Sequence, residues 1–266
     1  MILQSLAAAS KKRAEAAKEK ISLEEMKRLA YTALETSGSK ENRFPFEQAL
    51  SARGISFICE IKRASPSKGL ISPEFPYLEI AKDYEQAGAH AISVLTEPEY
   101  FLGNNEYLSQ IHQLISLPLL RKDFTVDPYQ VYEAKAIGAS AVLLICSLLD
   151  TNELMEYLKI CESLGLSALV EAHDEEEVHS ALSAGARIIG VNNRNLKNFE
   201  VNFETSLRLR SLVPEDVLFV AESGIKTETD IRTLADAGVN GVLIGESLMR
   251  SPNKKQLISQ FQRASQ

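Results

Sequence analysis

Apolar residues fall along the chain in two alternating rhythms. Short runs rich in Ile, Val and Leu occupy 56–62, 89–95, 118–122, 141–146, 167–171, 187–191, 217–222 and 241–245, and each reads as a strand. Between them apolar positions recur at helical spacing, as in Leu78, Ile80, Ala81, Tyr84 and Ala87, or Ile231, Leu234, Ala235 and Ala237. Gly88, Gly138, Gly165, Gly185 and Gly238 stand where helices should stop. Glycine suits the left-handed residue just past a helix, where a Cβ would clash. Helix starts are marked by Asp127-Pro128, by Asp150-Thr151, and by Asp174 with Glu177 as a candidate capping box. Eight strand–helix units of roughly 26 residues each predict an α/β fold, the (β/α)8 TIM barrel. An open doubly wound sheet shares this alternation, but eight regular units without a dinucleotide fingerprint favour closure.

Residues 1–50 lie outside the repeat and are read as an N-terminal helical extension capping a barrel of residues 51–266, the whole forming one structural domain. The stretch 10–20 is charged and alanine-rich, and Ser22-Leu23-Glu24-Glu25 reads as a capping box opening a second helix. Residues 38–43 read as a polar loop, and Phe44-Pro45-Phe46 precedes one more short helix. No Pro/Ser-rich linker intervenes, so the extension is expected to pack on the barrel. Closing one barrel end and covering the substrate site are both open to it.

Composition narrows the partners. The 266 residues carry 29 Lys and Arg against 36 Asp and Glu, a formal net charge of −7, so no basic face for nucleic acid is expected. The longest apolar runs, such as 141–146, fall far short of a membrane span. Lys11, Lys12 and Arg13 are not followed by an uninterrupted apolar segment, so no cleaved signal peptide is expected. Three cysteines, Cys59, Cys146 and Cys161, show no CxxC spacing. They argue against a disulfide scaffold or a zinc site and for a reducing, cytoplasmic compartment, with Cys59 and Cys146 as core residues.

Side chains two apart on a strand share a face. Ile58, Glu60 and Lys62 therefore face one way, as do Leu120 with Lys122, Leu169 with Glu171, Gly190 with Asn192 and Arg194, and Val220 with Glu222. Every polar member falls at the C-terminal end of its strand. Singly, each is what a solvated strand terminus looks like; together they are harder to dismiss, because burying unpaired charges costs several kcal/mol each. Lysines mixed with carboxylates shift proton affinities in opposite directions, as general acid–base chemistry requires. His90, His112 and His179 stand apart from this set, and His173, two residues past Glu171, is its outlying candidate. Carboxylates interleaved with lysines make a poor cage for a divalent ion, so no metal is expected.

A phosphate site has its own signal. Ala221-Glu222-Ser223-Gly224-Ile225 ends the seventh strand, and Leu243-Ile244-Gly245-Glu246-Ser247-Leu248-Met249 ends the eighth. Loops after these strands, with a short extra helix, often bind phosphate in such barrels. Gly224 and Gly245 would let backbone N–H groups approach an anion, although each is also an ordinary turn glycine. Glu246 is awkward beside a phosphate unless its carboxylate points away. Ser65-Pro66-Ser67-Lys68-Gly69, after the first strand, adds a hydroxyl and a positive charge.

These segments carry a resemblance. Phe57-Ile58-Cys59-Glu60-Ile61-Lys62-Arg63-Ala64-Ser65-Pro66-Ser67, Val94-Leu95-Thr96-Glu97, Leu120-Arg121-Lys122-Asp123-Phe124, Leu169-Val170-Glu171 and Ile189-Gly190-Val191-Asn192-Asn193-Arg194-Asn195-Leu196 resemble the indole-3-glycerol phosphate synthase family, essentially end to end. The two phosphate-loop segments alone are shared by several phosphate-binding barrels. The family also has an N-terminal helical extension at the mouth of its site.

The resemblance implies conversion of 1-(2-carboxyphenylamino)-1-deoxyribulose 5-phosphate to indole-3-glycerol phosphate, carbon dioxide and water, in tryptophan biosynthesis, with no cofactor. It implies Lys122 as the acid for ring closure and Glu171 as the acid–base partner in dehydration. Lys62 is implied either to hold the anthranilate carboxylate or to help protonate the leaving hydroxyl. Glu60, Asn192, Arg194 and Glu222 would orient substrate and keep the lysines charged, with Ser223 beside them. Phe101, Phe124 and Leu144 would grip the aryl ring, and Ser65, Gly224, Gly245 and Glu246 the phosphate. Glu246 departs from the small polar residue common there. The expected partner is a phosphorylated small molecule, with neither nucleic acid nor membrane; a monomer suffices, and association with other pathway enzymes stays open. Competing readings are a Schiff-base aldolase, which needs a lysine of depressed proton affinity, phosphoribosylanthranilate isomerase on a related barrel, and a non-catalytic phospholigand sensor.

Overall fold

The computed structural model describes residues 2–36, 43–195 and 199–265. Of the polar stretch 38–43, all but Arg43 lies outside them. In chain order the elements are α1 (Ile2–Lys20), α2 (Leu23–Thr36), α3 (Pro45–Leu50), β1 (Ser56–Ile61), β2 (Ala64–Ser65), β3 (Gly69–Leu70), α4 (Tyr77–Gln86), β4 (Ala91–Leu95), α5 (Asn105–Leu114), β5 (Leu119–Lys122) and α6 (Pro128–Ala136). They continue with β6 (Ala141–Ile145), α7 (Thr151–Ser163), β7 (Ser167–Ala172), α8 (Glu175–Ala184), β8 (Ile188–Asn192), α9 (Glu204–Arg210), β9 (Leu218–Glu222), α10 (Glu228–Asp236), β10 (Gly241–Ile244), α11 (Glu246–Arg250) and α12 (Lys254–Ala264). β1 and β4 to β10 form a closed parallel barrel, with β1 joining β10 on one side and β4 on the other. This is the (β/α)8 barrel that the repeat predicts. Among the described residues no helix is long and apolar enough to cross a membrane.

Strand alternation divides the apolar residues into two cores. Ile58, Leu120, Leu143, Leu169, Ile188, Val220 and Leu243 fill the barrel interior. Their neighbours, including Phe57, Val142, Leu144, Val170, Ile189 and Phe219, pack outward beneath the helices. Each such side chain contributes roughly 1.5–3 kcal/mol when fully buried. The helix-stop glycines take left-handed φ values, from +59° at Gly165 to +97° at Gly138. Asp127 and Asp150 form complete capping boxes. Asp174 caps α8 by accepting from the Glu177 N–H, but the Glu177 carboxylate binds the backbone N–H of His173 instead of closing a box. Ser22 likewise makes half a box, accepting from Glu25 N–H at 3.3 Å while the Glu25 carboxylate pairs with Arg28.

The N-terminal elements reach both ends of the barrel. Phe46 and Leu50 of α3 are buried with the interior residues at the N-terminal ends of the strands, where Ser56 Oγ donates to the Ala49 carbonyl at 2.7 Å. Leu6 of α1 belongs to the same cluster as Phe124, and Ser10 Oγ donates to the Phe124 carbonyl just past β5, at the opposite end. α2 lies on the flank against α6. After β1 the chain forms a short ribbon, in which β2 and β3 pair antiparallel, Ala64 with Leu70 and Ser65 with Gly69. Cys59 is buried as expected, whereas Cys146, at the end of β6, is only partly buried.

Candidate active site

Because interior positions alternate, the last inward residue of several strands emerges at the C-terminal end of the barrel, into a cavity of about 480 Å³. Glu60, Lys122, Glu171, Asn192 and Glu222 all line it, and Lys62 and Arg194 follow from just beyond their strands. Lys122 Nζ lies 3.2 Å from Glu171 Oε2 and 3.3 Å from Glu222 Oε2. Lys62 Nζ lies 2.5 Å from Glu60 Oε1. The strand-end carboxylates are therefore buried and paired, as the coincidence at one end suggested: the Glu171 and Glu222 side chains are each 2% exposed.

Pairing sets the proton affinities. Burial works against the charge on Lys122, but Glu222, Glu171 and Glu60 outweigh it and hold the ammonium well above its ordinary range. Burial likewise disfavours ionised Glu171, yet Lys122 and His173 hold it well below the usual carboxylate range. Glu222 goes the other way: burial dominates, the Glu171 charge adds to it, and Lys122 only partly offsets them, so Glu222 is pushed up to about 7. Its Oε1 is buried with no hydrogen-bond partner among the described residues. Two carboxylates flanking one lysine thus have proton affinities driven apart, the arrangement that separates acid from base.

Two glycines make this possible. A side chain on Gly190 would run into Glu222 Oε1, and one on Gly245 into Glu60 Oε1, with Lys62 Nζ 3.1 Å away. Gly245 therefore clears space for the Glu60–Lys62 ion pair as well as lying beside the expected phosphate end. Ser65, Ser223, Gly224 and Glu246 line the same side of the cavity. Ser223 and Gly224 are consecutive left-handed residues, at φ +66° and +83°. Such a conformation at a serine costs about 1–3 kcal/mol and persists only where its surroundings fix it, here with the Ser223 carbonyl accepting from Asn193 Nδ2 at 3.0 Å. Glu246 is neutralised: its Oε1 lies 3.3 Å from Arg250 Nε and 3.5 Å from Lys68 Nζ.

At the expected aryl end Phe101 and Phe124 both line the cavity, their ring centroids 6.2 Å apart. Leu144 does not join them. It pairs in register with Val170, faces outward and is buried beneath the helices, while Leu143 and Ile145, one residue to either side, line the cavity. Strand parity is the reason.

Sequence reasoning gave no role to three residues that hold this end. Glu97 accepts backbone N–H groups of Glu99, Tyr100 and Phe101 at 2.7–3.0 Å, fixing the turn that aims Phe101. Asp123 accepts from the Phe124 N–H at 2.8 Å. Arg13 of α1 bridges the two, at 3.1 Å from Glu97 and 2.8 Å from Asp123. Glu97 and Asp123 stood in recognisable segments; nothing in the pattern around Arg13 pointed to them. His173, the outlying candidate, sits 3.4 Å from Glu171 through Nε2 and 2.9 Å from Glu177 through Nδ1.

Comparison with known proteins gives the family. The indole-3-glycerol phosphate synthase of Ruminiclostridium cellulolyticum is 59% identical over 251 residues, covering 94% of this chain and 95% of that one. The enzyme of the same name from Endomicrobium trichonymphae is 55% identical over 95% of this chain and 96% of its own. The crystal structure of 3-hexulose-6-phosphate synthase from Salmonella typhimurium superposes with a TM-score of 0.65 over 79% of this chain and 98% of that one; at 12% identity it speaks for the fold alone. The sequence profile of indole-3-glycerol phosphate synthase matches residues 3–261, and the chain belongs to that family, the ring-closing carboxy-lyases of tryptophan biosynthesis.

Proposed function

We propose that Lys122 and Glu171 divide the acid and base work of the family reaction. The observation that carries this is a single buried ammonium held between two carboxylates of opposed proton affinity. The aromatic carbon bearing the carboxylate attacks the ribulose carbonyl, and Lys122 donates a proton to the oxygen where negative charge develops. Loss of the carboxylate as carbon dioxide restores aromaticity. The hydroxyl then leaves as water, with Glu171 moving the proton that this elimination requires. Lys62, paired with Glu60, holds the substrate carboxylate or protonates the leaving hydroxyl. Asn192, Arg194 and Glu222 orient the substrate, the last through its unpartnered Oε1. Phe101 and Phe124 take the aryl ring with Leu143 and Ile145, the residues that line the cavity where Leu144 does not. Ser65, Ser223, Gly224 and the backbone of Gly245 and Glu246 take the phosphate.

The same reading makes a phosphorylated small molecule the partner and one domain, a monomer, sufficient. Free thiols at all three cysteines support the cytoplasm. A Schiff-base mechanism is disfavoured because the carboxylates around Lys122 stabilise its charged form. Lys122→Ala is expected to lower turnover by about 10²–10⁴-fold with the barrel folded, read by indole fluorescence from the anthranilate-ribulose phosphate. Native protein with substrate should resist trapping by sodium borohydride. Near-native turnover of the variant removes Lys122 from the acid role, and a borohydride adduct restores the aldolase reading.

A further inference from the structure

The cluster sets three carboxylates against two lysines. Glu60 is matched by Lys62, which leaves Glu171 and Glu222 to share Lys122. Two buried acids sharing one cation do not ionise together easily, so some further group must decide which keeps the proton. A third cation reaches only one of them. The ion-pair partners of His173 are Glu171 and Glu177, and it does not line the cavity. We propose that His173, braced by Glu177, is the positioning residue that makes Glu171 the ionised base and leaves Glu222 able to hold a proton.

The geometry gives each oxygen of Glu171 a separate cation: Oε2 faces Lys122, and Oε1 faces His173 Nε2. The ring is fixed from behind. Glu177 Oε2 takes both the backbone N–H of His173, at 2.8 Å, and ring Nδ1, at 2.9 Å. Glu177 Oε1 in turn bonds the hydroxyl of Ser147, which is exposed. With Nδ1 committed to Glu177, much as a carboxylate behind a histidine fixes its tautomer elsewhere, Nε2 is left on the side of Glu171, 3.4 Å from Oε1, in an ion-pair contact rather than an aligned hydrogen bond. Burial pulls the ring's proton affinity down, and the carboxylates of Glu171 and Glu177 carry it up to about 10. Glu222 feels Glu171, Lys122 from β5 and Glu60 from β1, and Glu171 feels Lys122 and His173; Cys146 stands near Glu171, Glu177 and Asp174.

This inference rests on Glu171 acting as the base. The chain has four histidines, so ring ¹⁵N spectra can resolve them. In native protein one ring should stay protonated through the range where the others lose their protons, and that signal should vanish in His173→Gln. In Glu177→Gln it should titrate earlier. Removing a cation this close moves a carboxylate by about 1–3 pH units. His173→Gln should therefore shift the acid limb of kcat/KM upward by about that much, losing more activity in acid than in alkali, and Glu177→Gln should shift it the same way by less. All four rings titrating normally, or a native acid limb in both variants, overturns the proposal. If His173→Gln does not fold, Glu177→Gln, which leaves the cavity lining intact, decides alone. Glu171→Gln keeps the two readings apart: native turnover in that variant removes the base assignment, whereas a normal His173 titration removes only its partner.

Discussion

The same eight strands build both ends of the barrel, and the two ends are filled by opposite chemistry. At the N-terminal end the interior closes on Phe46 and Leu50, both fully buried. The ion pair there, Arg187 with Glu47, lies toward the surface, with the Arg187 side chain 45% exposed. At the C-terminal end the same inward face finishes in Glu60, Lys122, Glu171 and Glu222, held in ion pairs with one another, with Lys62 and with His173. Apolar burial is stabilising whatever the exact neighbours, whereas a buried charge is tolerated only with its partner in place. One end supplies stability, and the other holds paired charges that packing alone does not call for.

That division can be broken from either side. Phe46→Ala should lower unfolding free energy by about 3–5 kcal/mol in a denaturant titration, while kcat and KM of the folded fraction stay native. Lost turnover with unchanged stability would mean that the closed end contributes to the chemistry. A smaller effect is expected at the phosphate side. Gly224 is left-handed, and a Cβ there would lie 2.6 Å from Val201 Cγ1, so Gly224→Val must displace the turn. It should raise KM by roughly tenfold, about 1.4 kcal/mol, with kcat changed less. Equal affinity of the native protein for a dephosphorylated substrate analogue would show that the aryl ring, not the phosphate, anchors the ligand.

Alternation made the strands and their polar ends legible, because a two-residue period fixes which side chains share a face. Glu60, Lys122, Glu171, Asn192 and Glu222 followed from it. The same parity turns Leu144 away from the cavity, against the expectation for it: Ile145 stands opposite Glu171 in register and Leu144 opposite Val170. His173 has the inward parity but lies just past the end of β7, so its direction is set by Glu177 from the next helix, which no periodicity encodes. Arg13 meets Asp123 across 110 residues of sequence, a contact that exists only once the barrel closes. The β2–β3 ribbon has two residues per strand, too few for any alternation to appear.

The division of labour between Lys122 and Glu171 is tested most directly by rapid-mixing measurements on Glu171→Gln, following carbon dioxide release and indole absorbance in the same turnover. Glutamine keeps the size of the side chain and some of its hydrogen bonding but cannot carry the proton. If Glu171 serves the dehydration, ring closure and decarboxylation proceed before the blocked step. Carbon dioxide then appears ahead of the indole signal, with a longer lag than in native protein and a slow step sensitive to deuterated solvent. Loss of both signals together would contradict the account, placing Glu171 in substrate positioning or in ring closure itself.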